Sequence, residues 1–173
     1  MGHPVLRTAA RSLELSDLRD PSLQTFIDDM IETMTEYRGV GLAAPQVHEG
    51  LRLFVALLAD DPRGANPDDD DQEPTVIINP EITIVDPDVV EDWEGCLSVP
   101  DIRGRVPRAR EIVLRGLDRR GSAIEIEAAD YPARVIQHET DHLDGVLFFD
   151  RMTDFASLTF LEEYARFWRK SED

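Results

Sequence analysis

IQHETDHLDG (residues 136–145) places His138-Glu139-Thr140-Asp141-His142 within ten residues, two histidines four positions apart around a glutamate. On a helix, positions i and i+4 share a face, so both imidazoles can reach one metal ion. Glu139 then stands beside that ion, where a base for metal-activated water belongs. The flanks favour a helix that is at least partly buried. Val135, Ile136 and Leu143 are apolar, Tyr131-Pro132 suits a first turn, and Gly145 suits the end. Two histidines on a buried helix need partners for their ring nitrogens, and a metal supplies one to each. The plainer alternative is an ordinary histidine pair.

A third ligand has to come from elsewhere. The pattern HExxHxxGxxH would need a histidine six residues after His142, and Phe148 stands there. A distant carboxylate is one candidate, since acids are plentiful. WEGCLSVP (93–100) offers a sharper one. Cys96 lies between Gly95 and Leu97 with Pro100 close behind, and a thiolate binds zinc or ferrous iron strongly. Its alternative is a buried structural cysteine.

Outward from this helix, the chain reads as helix, several antiparallel strands, then helices, an α+β domain. SLQTFIDDMIETMTEYR (22–38) repeats apolar residues at spacings of three and four; Asp20 or Ser22 can cap it and Gly39 can end it. GVGLAAPQV (39–47) is too rich in small residues for an ordinary strand. Residues 51–58 and 75–85 are strand-like. Residues 110–130 read as a hairpin turning at Asp118 to Gly121. A final amphipathic helix is expected over 157–169, its apolar stripe packing on the domain or on another subunit.

Length and charge set the outer limits. The 173 residues make one domain, 1–173, with 42 % hydrophobic residues and no run of about 18 apolar residues that would span a membrane. The first residues lack the apolar segment of a secretory signal, and with one cysteine no intrachain disulfide forms, so a cytoplasmic location is expected. Acidic residues outnumber basic ones 36 to 18, a net charge of −18, which argues against DNA, nonspecific nucleic acid and anionic membranes as partners. DDPRGANPDDDDQEP (60–74) reads as an exposed acidic loop without the spacing of a calcium loop.

Three blocks in order, GVGLAAPQ (39–46), EGCLS (94–98) and QHETDH (137–142), closely resemble the peptide deformylases. The likeness runs from His3-Pro4 to about Asp150; His48 stands where a glycine usually follows the first block, and the acidic loop looks like an insertion. The resemblance implies antiparallel strands packed around a central metal-binding HExxH helix, with an N-terminal helix and a short C-terminal one. It implies hydrolytic removal of the formyl group from N-formylmethionyl nascent peptides. Cys96, His138 and His142 would hold one divalent ion, Fe2+ in the cell, with Zn2+, Ni2+ or Co2+ possible after purification. The fourth position stays open, and the ion lowers the pKa of water there. Glu139 would move the proton. The Gln46 side chain and the Leu97 backbone N–H would stabilise the developing oxyanion.

Gly41 and its neighbours would pair with the peptide like a strand edge, beside Gly95. Val40 and Val135 would line the methionine pocket, and Arg103 would meet the distal carbonyl or carboxylate. Glu94 and Arg108 would brace the cysteine loop, and Asp141 and Asp144 would orient histidines or cap. The chain would act as a monomer or weak dimer with at most transient ribosome contact. Two rivals are an HExxH peptidase cutting internal bonds, which leaves Cys96 and Gln46 without roles, and a metal-bound binding module without activity.

Overall fold

The computed structural model describes residues 1–58 and 73–169; all of the acidic run but its last two residues, and Lys170, lie outside them. Helix α1 (Pro21–Glu36) starts with proline in its first turn and with the Asp20 side chain accepting from the Ser22 N–H at 2.9 Å. Its buried stripe is Leu23, Ile27, Met30 and Met34. The residue that ends it in a left-handed conformation is Arg38, at φ 52°, not Gly39. The Gly39 N–H then turns back to the Met34 carbonyl at 2.8 Å.

The sheet is antiparallel, in the order β1-β2-β3-β4-β5, from β1 (Gly41–Ala43), β2 (Leu53–Ala56), β3 (Thr75–Cys96), β4 (Val99–Leu117) and β5 (Ala123–Ala129). A two-residue strand, β6 (Thr159–Phe160), pairs with β4. Helix α2 (Asp130–Leu143) carries the HETDH run, and α3 (Leu161–Phe167) follows β6.

Strand β2 is buried at every position, and its alternation explains the layering. Leu53 and Val55 pack with α1, while Phe54 and Ala56 pack with Ala133, Val135, Ile136 and Leu143 of α2. The sheet thus separates α1 from α2, and at about 25 cal/mol per Å2 of apolar surface these two layers dominate the stabilisation. The result is an α+β fold with α2 at its centre and α1 and α3 as the flanking helices.

Three expectations need correction. Gly41–Ala43 is a strand after all, fully buried and paired with Phe54–Ala56. Its burial on both faces removes the alternation that would have marked it. Strands β3 and β4 also extend through 86–109, where a hairpin with several register shifts runs to the Cys96–Val99 pair. The last helix is short: Ser157 lies before it, its hydroxyl accepting from the Arg105 N–H at 3.0 Å, and pairing of Thr159–Phe160 with β4 replaces the expected first turn.

Candidate active site

Cys96 is the last residue of β3 and faces α2 across the hairpin turn. Its Sγ lies 3.2 Å from His142 Nε2. Donor atoms of Cys96, His138 and His142 all lie within 4.8 Å of one another. A thiolate and two imidazoles at this separation can close on one divalent ion and leave a coordination position open, so the residues fit the metal that the sequence called for. Buried Glu139 adds a second sign: its Oε2 has no hydrogen-bond partner among the described residues.

The histidines differ in their surroundings. His138 Nδ1 is 2.8 Å from Glu94 Oε2, which leaves Nε2 for an ion. Burial alone would lower its pKa, but contacts with Cys96 and Glu94 hold it well above the usual imidazole value. His142 is pushed well below that value by burial and by His138. Burial pushes the Glu139 carboxyl up to about 7, Glu94 adding to it and His138 and Arg108 opposing. A carboxylate near neutrality is matched to taking and returning protons.

Glu94 organises this centre. Arg108 donates to both its oxygens at 2.9 and 3.0 Å, and Arg134 donates at 2.8 Å. Burial would raise the Glu94 pKa, yet hydrogen bonds from His138 and Arg108 hold it well below the carboxylate range. Arg108 also reaches Asp141 at 2.5 Å, and Arg151 donates to Asp141 at 2.6 and 3.1 Å. The expected Glu94–Arg108 brace is present. Orientation of a histidine falls to Glu94 rather than Asp141, while Asp144 follows the last turn of α2 and pairs with Arg52 at 2.6 Å.

Arg134 escaped the sequence reading. It is buried, and it also donates to the carbonyls of Val106 at 2.8 Å and Val90 at 2.6 Å. Its signal was an arginine among Ala133, Val135 and Ile136, on a helix already read as buried.

A cavity of about 570 Å3 opens onto this centre. Val40, Gly41, Gln46, Gly95, Cys96, Leu97, Arg103, Val135, His138 and Glu139 all line it, whereas His142 sits behind them, 1 % exposed. Gln46 Oε1 accepts from its own loop, at the Ala43 N–H, 2.8 Å away. Its Nε2 reaches Ser98 Oγ at 3.3 Å and Cys96 Sγ at 3.5 Å, so the amide is both anchored and aimed at the centre. Two glycines admit close neighbours, buried Glu139 at Gly41 and the movable end of half-buried Arg103 at Gly95. A Cβ at Gly41 would lie 2.4 Å from Glu139 Oε1, and one at Gly95 would lie 1.8 Å from Arg103 Nη1. His48 adopts φ 72°, which explains why glycine suits that position. Its ring stacks on His3 at 4.3 Å.

The chain as a whole is similar to known proteins. The sequence model of the family described as polypeptide deformylase matches residues 1–157. The chain is 44 % identical to peptide deformylase 2 of Nostoc sp. over 164 residues, 95 % of this chain and 89 % of that protein. It is 45 % identical to peptide deformylase 2 of Pseudomonas putida over 145 residues, 84 % of this chain and 80 % of the other. The crystal structure of peptide deformylase from Thermotoga maritima superposes with a TM-score of 0.77 at 41 % identity, over 89 % of this chain and 95 % of that one. A Met-Ala-Ser-bound class I type b peptide deformylase from Acinetobacter baumannii superposes at 0.78 and 37 % identity, over 88 % and 94 %. With a HETDH helix facing a hairpin cysteine and likeness along most of its length, this chain belongs to the peptide deformylase family.

Proposed function

We infer that Cys96, His138 and His142 together hold the divalent ion of this metal-dependent deformylase, and that Glu139 is its acid–base group. The reaction is hydrolysis of the N-formyl group of newly made polypeptides, releasing formate. The observation that carries this reading is the meeting of three soft and borderline donors within 4.8 Å beside a buried carboxylate with an unpartnered oxygen. The ion, once bound, acidifies a water and polarises the formyl carbonyl.

The remaining work belongs to this chain. Glu139 takes a proton from the water and returns it to the departing amine. Gln46 Nε2 and the Leu97 N–H donate to the oxygen that gains negative charge, and the Gln46–Ala43 bond spares the amide any reorganisation. The edge of β1 that is unpaired among the described residues, with the two residues before it, offers Gly39–Gly41 to the peptide backbone, in keeping with Met-Ala-Ser bound to the Acinetobacter baumannii enzyme. Val40 and Val135 receive the first side chain. Arg103, held over Gly95 with its Nη1 donating to the Ile102 carbonyl, turns a cation toward the downstream peptide.

Ferrous iron is the ion we assign in the cell from the family resemblance; one thiolate and two imidazoles suit zinc, nickel or cobalt as well. Residues 1–173 act as one catalytic domain, a monomer or weak dimer in the cytoplasm. Its ribosome contact is at most transient, because a net charge of −18 repels RNA. Among the described residues no helix is long and apolar enough to cross a membrane.

Glu139→Gln tests the assignment. Formate release from formyl-Met-Ala-Ser should fall by about 10²–10⁴-fold with metal content unchanged. Retention of more than about a tenth of kcat, against that expected 10²–10⁴-fold loss, removes Glu139 from the role. Cleavage of an N-blocked internal peptide by the parent would instead favour a peptidase.

A further inference from the structure

The cavity has a wall that the reaction leaves unexplained. Leu161 and Tyr164 of α3 line it together with Trp93, Tyr131 and Arg134. Their position follows from the elements that carry the reacting groups. Along β3, Trp93 lies three residues before Cys96, about 10 Å away at roughly 3.3 Å per residue. Along α2, the lining residues step from Glu139 to Val135 to Tyr131, two turns and roughly 12 Å at 1.5 Å per residue. Trp93 and Tyr131 thus stand on a part of the cavity wall set back from the ion ligands. Tyr164 packs edge-on against Trp93, with ring centroids 5.0 Å apart, and Trp168 lies 5.7 Å from the same ring.

Nothing in the core needs α3 to be there. None of its residues is buried, and Leu161 is 36 % exposed. It is tethered by pairing of Thr159 with Arg103 and of Phe160 with Ile102, and by the Ser157–Arg105 hydrogen bond. These ties run along β4 at the cavity's own rim, and the Tyr164–Trp93 contact carries the helix on from there toward Trp93.

We propose that α3 is part of the substrate pocket. Tyr164, packed on Trp93, and Leu161 close it on that side and set the length of first-residue side chain it accepts. This rests on the deformylase reading above. Leu161 and the ring faces of Trp93 and Tyr164 are apolar, which suits an unbranched thioether or alkyl chain. A wall made by exposed Leu161 and half-buried Tyr164 on a short helix is also easier to displace than one on α2. Discrimination by length is therefore expected to be modest and adjustable by substitution in α3 alone.

The test compares two formyl tripeptides that differ only in their first residue, norleucine or 2-aminooctanoic acid, whose unbranched side chain is two carbons longer. The parent should favour norleucine in kcat/KM by about 10-fold or more, the scale on which pockets resolve added methylenes. Tyr164→Ala should shift that ratio toward the longer chain by about tenfold, read as the ratio of kcat/KM for the two peptides within one variant, so that any common loss of rate cancels. Leu161→Ala should shift it the same way and serves if the first variant melts early. The chain's two tryptophans, Trp93 and Trp168, both stand at this contact. Titration with Met-Ala-Ser should therefore change parent fluorescence, and change it less in Tyr164→Ala. An unchanged ratio in both variants overturns the proposal, as does an effect that follows the second residue of the peptide instead of the first. A parent inactive on both peptides would count against the deformylase reading itself.

Discussion

Gly41→Ala isolates how the fold positions Glu139. The added Cβ would stand 2.4 Å from Glu139 Oε1, 2.7 Å from Cδ and 2.8 Å from Cγ. Nonbonded carbon contacts settle near 3.5–4.0 Å, so the carboxylate must retreat by about 1 Å. Gly41 is not among the positive-φ glycines, so backbone strain does not confuse the result. A displacement of this size at a reacting group costs about 10²-fold in rate, which is about 2.7 kcal/mol of barrier. Overpacking against a buried side chain costs about 1–3 kcal/mol of stability. That corresponds to a fall in Tm of about 2–10 °C for a chain of this size.

The assay is kcat for formyl-Met-Ala-Ser on protein of verified metal content, alongside thermal melting. Since Gly41 also borders the peptide, kcat rather than KM is the reading that reports on Glu139. Gly104→Ala is the control. Its Cβ would press on Met152 Sδ at 2.7 Å and Cε at 2.8 Å, away from the cavity, so it should lower Tm without the loss in kcat. Parent-like kcat in Gly41→Ala with full metal content would refute the claim that β1 holds the base in place.

Cys96→Ser should lower metal retention on dialysis, and peroxide should inactivate the iron-loaded enzyme as Cys96 is oxidised; full activity with Cys96 oxidised by mass spectrometry removes it from the ion. Asp150 accepts from Arg7 and, at 2.8 Å, from the Leu147 N–H; burial would raise its pKa, but these bonds lower it below the ordinary value. A lowered folded pKa contributes stability above the unfolded value of about 3.9 and loses it as pH falls further. The Tm gap between parent and Asp150→Asn should therefore be open at pH 7 and close below about pH 4; a gap independent of pH would exclude the linkage. With a net charge of −18, Tm should rise with NaCl to about 1 M as repulsion is screened, and a flat or falling curve would rule repulsion out.

The parts of the fold legible in the sequence were those with a strong period. Leu23, Ile27, Met30 and Met34 mark α1 because only one face of it is buried. The hairpin over 110–130 showed because Ile112 and Leu114 point inward while their neighbours do not. Residues 86–109 were illegible for the opposite reason. Val89 and Val90 are exposed, prolines punctuate the run, and register shifts break its alternation. In the site, chemistry was readable because ligands are scarce residue types: one cysteine and four histidines leave few combinations. The braces were less so, since arginine and glutamate are common and their pairing is decided by tertiary approach. Thus Glu94–Arg108 was found through its place beside Cys96, and Arg134 was missed.

Glu94 has one further consequence. Its two oxygens are occupied by two arginines and a histidine, all supplied by the protein. The ring of His138 is therefore fixed before any ion arrives, and the cysteine turn is held by the same group of charges. A centre locked in advance does not have to rearrange on loading, so it cannot use rearrangement to reject one divalent ion in favour of another. Intrinsic ligand preference then rises along the first transition row as far as copper and falls again at zinc, regardless of which ion serves catalysis best. Choice of metal passes from the protein to the supply: the same folded chain would carry whatever ion its surroundings deliver, and its activity would record the history of its loading.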